Sequence, residues 1–193
     1  SGFNELVQTI KGMAYEFPEQ EHLISFLTFN GLASKLLLEL EPVAKLKQID
    51  SRTYNPNSNT PLFDAMALAI NKLRKTTDLL DDYNVLVTIL TDGEENASKE
   101  FDQSMIKKLI DELKEKNWTF TYIGTDHDVT KFAQSISIEN SMLYTKSIEG
   151  IDRMFEVEKM SRIKYMQKVR NKETNSKDFR YFDGIAIKSL RSS

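Results

Sequence analysis

The chain has no cysteine. That excludes a disulfide framework, a thiolate zinc site and a cysteine nucleophile, and it fits a reducing, cytoplasmic setting. No apolar run approaches the roughly 18 residues a membrane-spanning helix needs. No G-x-G-x-x-G follows any apolar stretch, which argues against a dinucleotide enzyme. Internal repeats and low-complexity tracts are also missing. The two histidines, His22 and His127, carry no catalytic expectation: the first borders an apolar run, and the second lies between Asp126 and Asp128 with no nucleophile beside it. The chain is accordingly not read as an enzyme, and no catalytic residue is assigned.

What is present suffices for a packed domain: of 193 residues, 40% are hydrophobic, enough to build a core. The net charge of −3 by itself points to no polyanion partner. Its distribution is uneven. Residues 153–193 carry 11 Lys and Arg against 5 Asp and Glu, leaving 15 against 24 in residues 1–152. The chain therefore divides into an acidic main part, 2–150, and a basic remainder, 151–193.

Periodicity supplies the elements. Phe3, Leu6, Val7, Ile10, Met13 and Phe17 fall at helical spacing, with Pro18 as the stop. "HLISFLTF" (22–29), "NG" (30–31) and "LASKLLLEL" (32–40) predict a strand, a two-residue turn and a second strand. Residues 50–61 predict a loop. A helix is expected from Pro61, with Thr60 as its N-cap. "VLVTIL" (85–90) predicts a strand covered on both faces. A helix ending near Asn117, a strand at 118–124, a short helix at 129–136, a strand at 141–146 and a long helix over about 147–172 complete the pattern. Alternating strands and helices predict an α/β fold, Rossmann-like, with a mostly parallel central sheet, one antiparallel edge hairpin and helices on both faces. Ligands in such sheets gather at the carboxyl ends of the strands.

Two segments meet that edge. Asp92 follows a buried strand immediately, with Gly93, Glu94 and Glu95 behind it; Asn59 and Thr60 open a helix. A carboxylate and a hydroxyl with loop oxygens suit a hard cation such as magnesium. Each feature also has a plainer explanation: Thr60 as a cap, Asp-Gly as a turn, Glu94 and Glu95 as a solvated face.

"SNTPLFDAM" together with "VLVTILTDGEENAS" resembles the von Willebrand factor type A (VWA) domain, in particular its compact bacterial members, over most of residues 2–150. The resemblance implies a protein-binding module with a metal-ion-dependent adhesion site, in which Mg2+ bridges to an Asp or Glu carboxylate of a partner protein. It implies Thr60 and Asp92 as metal ligands and Asn59, Gly93, Glu94, Glu95, Asn96 and Asp126 as the partner-binding rim. The family's Asp-x-Ser-x-Ser loop and the strand before it are not in the chain. Two of five protein ligands are then at hand, and magnesium binding by this chain is expected to be weak or absent. Without that strand, two inner strands would be left with bare edges. The stretch "FRYFDGIAIKSL" (179–190) is a candidate for an added strand.

Alternatives stay open at this point: a receiver-like phosphorylation switch, a magnesium-dependent enzyme on the same architecture, or a structural subunit with a vestigial metal site. The long last helix presents Lys159, Arg162, Lys164, Lys168, Arg170 and Lys172. They form either a solvated face or a surface for an acidic partner, nucleic acid included.

Overall fold

The computed structural model describes residues 2–30, 34–45, 59–125, 128–174 and 179–182. The chain is mixed α/β, with five α-helices among the described residues. Helix α1 (Gly2–Glu16) buries Val7, Ile10 and Met13, with Phe17 beyond its end, at the spacing the sequence displays. Strands β1 (Leu23–Phe29) and β2 (Ser34–Pro42) pair antiparallel. Phe29 stands opposite Ser34, and the expected turn at 30–31 falls partly on residues 31–33, which lie outside the described residues. β2 carries an extra residue between the partners of Ile24 and Phe26. There Leu40 takes a left-handed φ of 49°, and its N–H donates to Ser25 Oγ at 3.0 Å.

Helix α2 (Leu62–Thr77) leads to β3 (Val85–Leu90), then α3 (Gln103–Lys114), β4 (Trp118–Gly124), α4 (Val129–Ser135), β5 (Asn140–Leu143) and α5 (Ile148–Arg170). Asn117, at φ 62°, turns the chain out of α3, and its carbonyl accepts from Val85 N–H. Strands β3, β4 and β5 form a parallel sheet in that order. Side chains of β3 alternate. Val85, Val87 and Ile89 join the core built by α2, α3 and α4, whereas Leu86 packs with Met13, Phe17, Tyr165 and Met166 of the α1 and α5 side. Helices thus cover both faces, as expected.

The sheet itself differs from expectation. The hairpin does not extend the parallel sheet; among the described residues β1 pairs only with β2 and β3 only with β4. Between them lies a cleft of about 1870 Å³, lined by Leu23–Phe29 of β1 and Val85–Leu90 of β3 and closed by side chains of α1, α2 and α5. Hydrophobic patterning specifies which face of a strand is buried, but it leaves open what lies along its edge. Of the stretch 179–190, residues 179–182 run as a turn without strand pairing and 183–190 lie outside the described residues. No helix among the described residues is long and apolar enough to cross a membrane.

Candidate functional site

The carboxyl end of β3 is drawn tight by a hydroxyl. Thr91 N–H donates to Ile123 O at 3.0 Å, continuing the β3–β4 ladder by one residue. Its buried Oγ1 donates to Gly93 O at 2.8 Å and accepts from Gly93 N–H at 3.2 Å. That local ring turns the chain sharply and leaves the Asp92 and Glu94 side chains exposed to water.

Thr60 reaches the same place from α2. A Cβ placed on Gly93 would lie 3.0 Å from Thr60 Oγ1, so glycine is what lets the two loops approach this closely. Asn96 holds them together: Thr60 N–H donates to Asn96 Oδ1 at 2.8 Å, and Asn96 N–H donates to Thr60 O at 3.2 Å. Thr60 is not the N-cap of α2. Pro61 occupies that position, with no side-chain cap of its own. The orphan N–H groups go to the other loop instead, Phe63 N–H to Glu95 Oε2 at 2.9 Å and Asp64 N–H to Ser98 Oγ at 3.1 Å.

Glu95 is fully engaged. Its Oε1 accepts from Ala97 N–H and Ser98 N–H, and Ser98 Oγ donates to Oε2 at 2.7 Å. A carboxylate with that many internal donors is a structural cap, not a free rim group. Asp64 returns the favour by accepting from the backbone N–H groups of Lys99, Glu100 and Phe101 at 2.8, 3.1 and 2.8 Å. The two loops therefore cap each other. Glu95 acts at the start of α2, where a capping side chain is worth about 0.5–2 kcal/mol; Asp64 holds loop amides ahead of α3, whose own N-cap is Asp102.

Of the expected rim, Asn59, Gly93, Glu94 and Asn96 lie on these two loops, with Asn96 committed to Thr60; Asp126 lies outside the described residues, as does His127. The donors at hand for a cation are the Thr60 hydroxyl and the Asp92 carboxylate. No cluster of three or more His, Cys, Asp or Glu suited to a metal occurs among the described residues. One hydroxyl and one carboxylate fall well short of a six-oxygen magnesium shell without substantial help from water. The described residues do not, by themselves, fit a resident magnesium ion.

A second polar cluster lies behind β3. Arg162, expected on a solvated basic face, turns inward instead. Its Nη2 donates to Glu158 Oε1 at 2.5 Å and to Thr88 Oγ1 at 3.0 Å, and Tyr181 Oη donates to the same Glu158 oxygen at 3.0 Å. Burial alone would lower the Arg162 pKa; Tyr181 and Glu158 more than offset it, and the group stays charged. Burial likewise pushes the Tyr165 hydroxyl up to about 12. The sequence carried one signal for this pair, the i, i+4 spacing of Glu158 and Arg162. Lys159, Lys164, Arg170 and Lys172 remain exposed, while Lys168 sits 5.3 Å over the Phe179 ring.

Comparison of the chain with protein-family models and with curated proteins finds no match in either.

Proposed function

We propose that this chain is a protein-binding module of the VWA type on a Rossmann-like scaffold, using the rim formed by the Thr60 and Asp92 loops to receive a partner protein. The observation that carries this reading is the mutual capping of two loops at the carboxyl edge of β3. It fixes a rigid frame and leaves Asp92 and Glu94 facing water. Fixed, exposed polar groups at that edge suit recognition. Recognition of an Asp or Glu carboxylate through a cation is the form the family resemblance suggests. The cation-dependent part is not assigned to this chain alone, because two donors do not make its site.

Peptide arrays carrying Asp- and Glu-containing sequences, probed with the chain in magnesium and in EDTA, test the reading. Binding is expected to fall about 10-fold or more in Thr60→Ala, a change of about 1.4 kcal/mol, with circular dichroism unchanged; Asp92→Ala is expected to weaken binding only where a cation bridges its carboxylate to the partner's. Calorimetric titration with Mg2+ is expected to show no saturable site below about 1 mM. Binding that ignores both substitutions would overturn the module. So would a stable gain in mass at Asp92 after incubation with acetyl phosphate, which belongs to a phosphorylation switch.

A further inference from the structure

The cleft between β1 and β3 has the form of a vacant strand position. Its two sides are strand edges, β1 and β3, each paired on its other side only among the described residues. Helices from both faces close it: Leu62 and Met66 of α2 on one, Met154 and Glu158 of α5 on the other. Open edges with apolar residues above and below are costly to leave in water and are the ordinary target of strand addition.

Three polar atoms add to this. Asn4 Oδ1, His22 Nε2 and Glu158 Oε2 are buried, lack a hydrogen-bond partner, and belong to residues that line the cleft. A buried carboxylate oxygen left unpartnered has lost its water without a replacement donor. Glu158 is 2% exposed and uses only Oε1 on Arg162 and Tyr181. Its second oxygen has no donor among the described residues.

The chain's own end is close to the opening. Tyr181 is buried against Tyr165, with ring centroids 5.9 Å apart, and it touches Glu158; Tyr165 and Glu158 both line the cleft. Asp183-Gly184 follows, a pair suited to a tight turn. Beyond it come Ile185, Ala186, Ile187, Lys188, Ser189 and Leu190. At about 3.3 Å per residue, those six span about 20 Å, the length of a six-residue strand such as β3.

We propose that residues 185–190 of this chain insert between β1 and β3 and join the hairpin to the parallel sheet as one continuous sheet. Ile185 and Ile187 share one face of the added strand, and Lys188 falls on the other with Ala186 and Leu190. Whichever face meets α5, a donor is available for Glu158 Oε2: the Lys188 ammonium from one, the Ser189 hydroxyl from the other. This proposal is independent of the rim and its partner.

Hydrogen–deuterium exchange of the whole chain tests it. Amides of 185–190 are expected to exchange about 100-fold slower than a random coil. Deleting 183–193 is expected to speed exchange along both β1 and β3 by about 10-fold while β4 holds its rate, and a synthetic peptide of 183–193 is expected to restore it. Ile187→Lys in the full chain, which needs no truncation, is expected to speed exchange in β1 and β3 in the same way. Coil-like exchange throughout 185–190, with β1 and β3 indifferent to the deletion, overturns the proposal. Protection of 185–190 that vanishes on dilution to a monomer also overturns it, since it assigns the strand to a second copy.

Discussion

Asp64 and Glu95 show how far a single carboxylate can determine local structure. Partial burial alone would raise the Asp64 pKa, but the N–H groups of Lys99, Phe101 and Glu100, with the Lys99 charge, overcome it and hold the carboxyl below the ordinary aspartate value. A depressed folded pKa means stability that is present above the unfolded value and lost as pH falls through the folded one. Thermal unfolding of the chain and of Asp64→Asn, from about pH 6 to about pH 2.5, should therefore give curves separated by about 1–2 kcal/mol at the upper end and converging at the lower. Parallel curves would show that Asp64 contributes no titrating interaction. At this scale the sequence was half legible. Acids and hydroxyls at strand ends announce a polar edge, but the capping partner of Phe63 lies 32 residues away. Nothing local distinguishes Glu95, which is fully bonded, from Glu94, which is exposed.

At the level of elements, helical periodicity located α1, α3 and α5 closely, because their apolar stripes were long enough to fix a face. It placed Arg162 on the wrong side of α5. A basic side chain offers no hydrophobic signal, so only its partner, one turn earlier, accounts for its burial. The pair makes a measurable difference to stability. Arg162→Met alone should cost about 3–5 kcal/mol, because Glu158 is then buried without its countercharge, with only the Tyr181 hydroxyl left to it. Glu158→Leu combined with Arg162→Met should recover at least about half of that loss, since replacing both charges by apolar groups removes the uncompensated one. Denaturant unfolding of the singles and the double checks this; a double variant as unstable as the sum of the singles would show that the two side chains act independently.

Considered whole, the molecule divides its stability between two sheets. The parallel sheet has β4 at its centre, with Trp118, Phe120, Tyr122 and Ile123 buried. The hairpin has two strands among the described residues, and two-stranded sheets are marginal without packing. Its support comes from Val7, Ile10, Val43 and Phe155 beneath Ile24 and Leu38. With 183–193 deleted, amides of β1 and β2 should exchange at least about 10-fold faster than those of β4; equal rates would mean that the two sheets open as one unit. The sequence conveyed the mixed α/β class, the helix-on-both-faces arrangement and the presence of a parallel sheet. It did not convey the split, because strand-forming residues show how a face is covered and not whether a neighbour is present.

The reciprocal capping between the α2 start and the β3–α3 loop also limits protein engineering. Neither segment can be transplanted, randomised or shortened by itself without stripping helix-start or loop amides of their acceptors. A library built on this rim would have to carry both segments as one heritable cassette, varying Asp92 and Glu94 while holding Asp64, Glu95 and Ser98 constant.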